Sequence, residues 1–413
     1  MTDLKRNLLK NIDELLNYFP IVILLGVRQC GKTTLARQAR PGWKYFDLEN
    51  GNDFDRISED FEFFIKQHSQ EIIIDEAQKY PNLFQELRGV IDKNRKQKNR
   101  FLLTGSSSFE LIKNVSESLA GRVGIIELGT FKTNEILSKP LPAFYQIFEN
   151  RISTSTTNKL YQLKSEIKHD QVMNTFLKGG YPEPVLNNDQ RFFNLWMENY
   201  FQTYIQRDIR SLFPKLDLVR FRRFISMLSS LNGTIVNRSQ VGRSLDCSDV
   251  TIRDYLEIAA GSYIWRIIHS YEKNIKKTVV KMPKGSFRDT GLSHYILGHN
   301  SLEALNNAPN VGSSFESFVI EEIIKGLQAT VATRWNYYYY RTRNGAEIDL
   351  VLDGEFGLLP IEIKYGTSTR IKQLQSLKRF VFDNDLPIGI VINNSDSVEL
   401  LTERIVQLPV TFI

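Results

Sequence analysis

One segment, Gly26-Val27-Arg28-Gln29-Cys30-Gly31-Lys32-Thr33, restricts this chain more than any other. It fits the spacing G-x-x-x-x-G-K-[ST], follows the apolar run PIVILLG (20–26) and opens a stretch of helical pattern. Glycines let successive backbone N–H groups curl around phosphate oxygens, and the dipole of the following helix strengthens the grip. A lysine at this place reaches the β- and γ-phosphates, and the next hydroxyl is a magnesium ligand. Gly26, Arg28, Gly31, Lys32, Thr33 and Thr34 are therefore the expected nucleotide-binding residues.

Further apolar runs, WKYFDLE (43–49), EIIIDE (71–76), RFLLTGS (100–106) and VGIIELG (123–129), alternate with helix-length segments. That pattern predicts an α/β fold with a parallel sheet covered on both faces. Asp75 ends a buried strand and is the expected second magnesium ligand; Glu76 beside it can polarise an attacking water. An acid in that place suits hydrolysis, where a phosphate-binding module would need none. No N-K-x-D guanine reader follows, so ATP is the expected nucleotide. At the end of the next run, Thr104 or Ser106 can hydrogen-bond between the magnesium site and the γ-phosphate; strand-end capping accounts for them nearly as well. Arg122, in SLAGR (118–122), either projects toward a nucleotide in a neighbouring subunit or forms a local ion pair.

With 413 residues, 42% hydrophobic and 24% charged, the chain is expected to be soluble and to hold two to four domains. It has no bilayer-length apolar run, and its first residues lack a signal-peptide core, so no membrane is expected. Cys30 and Cys247 are the only cysteines, which fits a reducing cytoplasm, and five scattered histidines offer no zinc spacing. The net charge of +6 is unevenly spread: residues 211–290 carry 14 Lys and Arg against 7 Asp and Glu, and residues 301–413 carry 10 against 14. A basic middle suits a polyanion such as DNA; a solvated surface explains it equally well.

That middle region reads as a winged helix-turn-helix. A helix over 237–245, a turn at Asp246 and Cys247, and a second helix capped by Ser248 precede two strand-like pieces, 263–271 and 277–287. Asp249, Thr251 and Arg253 lie on the second helix's early turns, and Lys273, Lys276, Lys277, Lys281 and Lys284 fall where a wing would touch phosphates. Packing within the protein is the competing use of such a module. After a polar linker (300–310), the tail predicts a helix from 312, strands at 335–342, 346–352 and 358–364, a helix at 371–382 and a last strand at 388–393. Alternation puts Glu362 and Lys364 on one strand face, and an antiparallel neighbour brings Asp349 beside Glu362. With Glu316 from the preceding helix, these carboxylates form a candidate Mg²⁺ or Mn²⁺ site, where Lys364 orients water. Glu347 shares the face of Asp349. Solvated charges pairing with Lys364 are the alternative.

GVRQCGKTTLA, EIIIDEAQ, LLTGSSS and SLAGR together resemble the AAA+ ATPases, specifically the prokaryotic family with a C-terminal domain of unknown function. KGGYPEP (180-region), YIQRDI (204–209) and KGSFRDTGL (284–292) are similar to it as well. The resemblance implies an ATPase domain over 1–155, a helical lid over 156–213, a winged helix over 214–295 and a restriction-endonuclease-like domain over 310–413. The tail's helix glutamate, aspartate and E-x-K resemble the PD-(D/E)XK nucleases. The family also implies a homo-oligomeric ring, often a hexamer, with Arg122 acting in trans. Such a protein would remodel DNA, with the tail as a nuclease; the alternative is a protein-remodelling or signalling ATPase that docks partners on its later domains. Cys30 departs from the small apolar residue expected there, and implies sensitivity to thiol reagents.

Overall fold

The computed structural model describes residues 4–106, 117–187, 189–272, 282–342 and 345–413. Ser107 and the lysines at 273, 276, 277 and 281 lie outside them. Packing divides the chain into two units: Met1–Phe131 with Gly261–Ile264, and Lys132–Ala260 with Trp265–Ile413. The limit expected at 155 lies within the second unit, where the helix Ser155–Tyr161 begins.

The first unit holds a five-stranded parallel sheet: β1 (Ile21–Gly26), β2 (Lys44–Asp47), β3 (Ile72–Asp75), β4 (Phe101–Gly105) and β5 (Val123–Leu128), in the order β2-β3-β4-β1-β5. Every residue of β1, β3 and β4 is buried, as their unbroken apolar runs require of strands covered on both faces. Because β4 lies between β1 and β3, its last residues stand between the phosphate loop and Asp75. The order of the strands builds the site.

The second unit is a mixed nine-stranded sheet. Its strands are β6 (Thr234–Ile235), β7 (Trp265–Ser270), β8 (Lys284–Phe287), β9 (Asn336–Arg341), β10 (Glu347–Gly354), β11 (Gly357–Ile363), β12 (Gly389–Asn393), β13 (Glu399–Thr402) and β14 (Ile405–Pro409). They run in the order β13-β14-β12-β11-β10-β9-β7-β8-β6. The tail therefore does not end at the strand expected over 388–393: β13 and β14 follow, joined by a tight turn. Parallel pairing of β7 with β9, His269 with Tyr338, carries the strands expected as a wing into the tail's own sheet. One buried cluster joins Phe315, Val319 and Ile323 of the helix Val311–Gln328 to Leu350, Leu352, Ile361, Ile390 and Ile392. A second joins Leu377, Phe380 and Val381 of the helix Gln375–Asp383 to Ile348, Val351 and Val391. Ile390 and Ile392 against Val391 is the two-residue alternation of a strand with both faces covered.

Two of the distinctive segments meet here. Asp289 caps the helix Thr290–Leu297 through Leu292 N–H at 3.1 Å and also accepts Gly180 N–H at 2.8 Å. Gly179 has φ of 70°, and a Cβ on it would lie 2.1 Å from the Asp289 carboxylate. The glycine in KGG and the aspartate in RDTG are thus one packing device. In the same helix His294 is buried: its imidazole pairs with Leu177 O at 3.1 Å and Ser314 Oγ at 2.7 Å, edge-on to Phe176. Burial holds its pKa down at about 4, below the ordinary 6.5. The folded state therefore binds fewer protons than the unfolded chain between those values, so this contribution is present above pH 6.5 and lost as pH falls through about 4. The full loss is about 3 kcal/mol. Urea melts at stepped pH should show one proton's slope in that window, absent in His294→Gln.

The expected helix pair is present: Arg238–Leu245, capped by Asn237, then Asp246 in the left-handed region, then Asp249–Gly261 with Ser248 Oγ accepting Thr251 N–H at 3.1 Å. Arg253 is spent on its own helix, against Asp254 at 3.0 Å and Glu257 at 3.9 Å, and Arg238 reaches Asp249 at 3.6 Å. No helix of the described residues is long and apolar enough to cross a membrane.

The charge imbalance also has a structural explanation. The helix Val311–Gln328 buries Glu316, Glu321 and Glu322, and each faces a cation from an earlier part of the second unit: Lys284, Arg266 and Lys132 respectively. Arg288 adds a second contact to Glu321 at 3.9 Å. Three cations of the basic middle, Arg266, Lys284 and Arg288, thus meet acids of the tail inside one unit. Lys284, expected on a wing touching phosphates, is instead a buried ion-pair partner, because β8 runs through the sheet's interior.

Candidate active site

Between β1 and the helix Lys32–Ala39 the chain makes a tight turn, with Gln29 and Gly31 at φ of 63° and 93°. The Lys32 ammonium donates back across the turn to Gly26 O at 3.1 Å and Val27 O at 2.9 Å. Gly26 has to be glycine: a Cβ there would sit 2.1 Å from Leu128 O. Arg6, which the sequence did not single out, braces the loop by donating to Cys30 O at 2.8 Å and Gly129 O at 2.8 Å. Cys30 is fully buried with its thiol toward Leu128 O, so burial closes it to the thiol reagents expected to reach it. Arg28 lies 3.9 Å from Glu49, and Thr34 is exposed on the helix's first turn.

Asp75 gathers hydroxyls. Thr33 Oγ donates to its Oδ2 at 2.7 Å, Tyr45 OH to the same oxygen at 2.6 Å, and Thr104 Oγ to Oδ1. Thr104 also accepts Glu76 N–H at 3.2 Å. Glu76 adopts φ of 53°, so it turns off the strand axis directly after β3. Ser106 Oγ donates to its carboxylate at 3.0 Å, and Gln78 Nε2 reaches both the carboxylate and Ser106 Oγ. The two polar residues at the end of β4 thus divide the acids between them, Thr104 on Asp75 and Ser106 on Glu76. Oxygen donors from Thr33 and Asp75, side by side, fit a magnesium ion.

Residues 18–137 match the family described as AAA domain. This part of the chain is similar to AAA domains. The chain is an ATPase. Residues 169–303 and 311–413 match two domains of unknown function, DUF8612 and DUF4143. Uncharacterized proteins of Mycobacterium bovis and Mycobacterium tuberculosis are each 29% identical over 408 residues, covering 98% of this chain and 83% of theirs. Solved structures with some likeness include a Walker-type ATPase of Pyrococcus abyssi, 15% identical with TM-score 0.42 over 70% of this chain and 94% of that one. Another is the RuvB Holliday junction branch migration motor of Thermotoga maritima, 15% identical with TM-score 0.29 over 64% and 89%. Likenesses this low bear on neither activity nor partners.

Arg122, directly before β5, is engaged locally: its guanidinium forks onto Asp92 at 2.8 and 3.0 Å and donates to Ala120 O at 2.9 Å. Any reach toward another subunit would have to break that fork. Tyr45 is the residue sequence reading missed. β2 pairs Asp47 with Asp75, and Tyr45, two residues back, sends its hydroxyl forward to the carboxylate while Arg37 stacks on its ring at 3.8 Å. Burial and the Asp75 hydrogen bond push its own ionisation well above the usual tyrosine range, so it is a fixed donor. Tyr45→Phe should raise the magnesium concentration for half-maximal ATP turnover by about tenfold, a typical effect of losing one group behind a metal ligand, and leave the rate at saturating magnesium near the parent's. A fall in melting temperature with no change in magnesium dependence would make Tyr45 merely structural.

The tail's expected residues also converge, within the second unit. The β10–β11 register pairs Leu350 with Ile361, which places Asp349 against Glu362. Asp349 Oδ2 accepts Ile363 N–H at 2.7 Å, and Lys364 Nζ donates to Glu362 Oε1 at 2.6 Å. Lys284 is the unforeseen member: its ammonium rests on Glu316, 3.2 Å from Glu347 and 4.0 Å from Asp349. Burial disfavours that ammonium, but Glu316, Asp349 and Glu347 outweigh it and hold its pKa above the ordinary lysine range. Burial, then the Asp349 charge, pushes Glu316 up to about 8, and the same two causes raise Glu362. Among the described residues, no group of three or more His, Cys, Asp or Glu side chains is disposed to hold a metal ion.

Proposed function

We propose that the ATPase is a motor that works on duplex or branched DNA, with magnesium held by Thr33 and Asp75 and with Glu76 activating the water. Bound magnesium would draw charge from the phosphates. Lys32 meets the β- and γ-phosphates, Ser106 and Gln78 aim Glu76, and Thr104 fixes Asp75. The observation that supports DNA as the substrate is a group of exposed cations among the described residues, outside the ion pairs above: Lys215, Arg222, Arg223 and Arg243, on and beside the helices Leu218–Ser230 and Arg238–Leu245. Cations on exposed helices contact phosphate without reading sequence. The exposed helix pair is the DNA-facing part of the winged module, β7 and β8 being built into the tail's sheet, and the copies assemble as a ring in the cytoplasm, with Arg122 released from Asp92 to face a neighbour.

ATP turnover measured with duplex, branched and single-stranded DNA tests this. Duplex or branched DNA should raise the rate several-fold, less so as salt increases, and Arg222→Glu with Arg223→Glu should abolish the increase but keep the DNA-free rate. A rate indifferent to every DNA would leave the second reading, a protein-remodelling or signalling ATPase. Val219 and Val250, 67% and 54% exposed at the starts of two helices of the second unit, favour that reading as docking points.

A further inference from the structure

The four tail carboxylates Glu316, Glu347, Asp349 and Glu362 make a concentrated negative site in the second unit, and three of them are buried. Two cations answer them from different directions. Lys364 lies on the same strand as Glu362, is partly exposed, and touches that carboxylate alone among the four at ion-pair distance. Lys284 comes from β8, two strands beyond β9, and is only 3% exposed. Its ammonium lies within ion-pair reach of Glu316, Glu347 and Asp349 together. A single positive centre stands among three carboxylates from a helix and a strand, where a hard divalent cation would need to sit, and with the ammonium there no group of three acids among the described residues is disposed to hold one. Two buried oxygens of these carboxylates lack a hydrogen-bond partner: Glu316 Oε1, which lies against the Lys284 ammonium, and Glu362 Oε2. Glu362 is 7% exposed, and burying a carboxylate oxygen without a partner is costly.

We propose that Lys284 is a built-in counter-cation that occupies the place a divalent metal would take, so that the pocket holds one cation at a time and, with Lys284 seated, takes up no metal. This rests on reading the tail carboxylates as a cation pocket and is independent of the ATPase. It turns the tail from a standing metal centre into a latched one. A lysine carries one charge where magnesium or manganese carries two, and an ammonium neither polarises a phosphoryl oxygen nor acidifies water as a metal does. The Glu362 oxygen left unpartnered is the ligand that Lys284, approaching from the side of Glu316 and Glu347, does not reach. In this conformation the tail pocket holds no metal and does not cut.

The test uses the full chain without nucleotide and reads Mn²⁺ binding by electron paramagnetic resonance and calorimetry. Lys284→Ala and Lys284→Met should each gain one Mn²⁺ site per chain that the parent lacks. Adding Glu362→Gln should abolish the gain, while Glu362→Gln alone should leave the parent's Mn²⁺ binding unchanged. Thermal melts should show both Lys284 variants destabilised and restored by millimolar Mn²⁺. Parent protein that binds Mn²⁺ and loses it with Glu362→Gln would overturn the proposal, since metal would then enter with Lys284 present. Folded variants with no added Mn²⁺ affinity would overturn it as well. So would variants that both fail to fold and are not rescued by Mn²⁺, because the two cations would then not be interchangeable. A variant that gains Mn²⁺ yet cleaves no DNA leaves the latch standing and removes only the nuclease reading.

Discussion

Glu76→Gln should lower ATP turnover by about two to three orders of magnitude while leaving ATP binding intact, because a neutral amide keeps the shape of the carboxylate but cannot take a proton from water. The structure makes the substitution a clean one. Ser106 Oγ and Gln78 Nε2 both donate to the Glu76 carboxylate, and the side-chain oxygen of a glutamine can accept from either. Thr104 meets the Glu76 backbone N–H, which the substitution does not touch. The left-handed backbone at Glu76, φ of 53°, costs about 1–3 kcal/mol in a residue with a Cβ, and such conformations persist where the surroundings enforce them. Single-turnover hydrolysis measures the loss, and titration with a fluorescent ATP analogue measures binding. Unchanged turnover would remove Glu76 from the chemistry. A loss of binding in step with turnover would make it a structural prop for the loop.

The second large effect is on stability. Arg266→Ala should destabilise the second unit by about 3–5 kcal/mol, the usual consequence of removing one partner from a buried ion pair. Arg266 Nε and Nη2 both donate to Glu321, Nη1 donates to Tyr337 OH at 3.0 Å, and both ion-pair partners are almost fully buried. Deleting the guanidinium leaves Glu321 with Arg288 at 3.9 Å, too far to replace a two-pronged contact. Trp265, the neighbouring residue, is buried edge-on to Phe287, so tryptophan fluorescence in urea reports on this place. Adding Glu321→Gln should recover part of the loss, because a neutral amide is less costly to bury than an unpaired charge. A single variant within about 1 kcal/mol of the parent would show that Arg288 or water takes over the charge.

The sequence shows some of this plainly. Apolar runs with no polar interruption, the fixed spacing from Gly26 to Thr33, and an acidic pair closing such a run specify β1, the phosphate loop and β3, because each is determined within a few residues of itself. The tail hairpin was legible for the same reason: alternation fixes which face Glu362 and Lys364 share, and a short turn fixes the register against Asp349. What failed depends on neighbours far away in the chain. Tyr45 reads as an ordinary strand aromatic until β2 is laid against β3. Lys284 closes a run of lysines and looks like the last of a solvated group; only the pairing of β8 with β7, and β7 with β9, sends it inward. The basic middle and acidic tail looked like separate surfaces because composition carries no information about which charges will meet.

The three glutamates of the helix Val311–Gln328 carry a practical consequence. Each is matched by a cation from residues 132–288, and the tail's outer strand β9 is hydrogen-bonded along β7. A polypeptide started at the asparagine-rich linker would inherit the acids without their partners, together with an open sheet edge inviting pairing with other copies. The domain match over 311–413 leaves out the cations that face these acids. Shuffled onto another protein, that stretch would need to bring its upstream neighbour along.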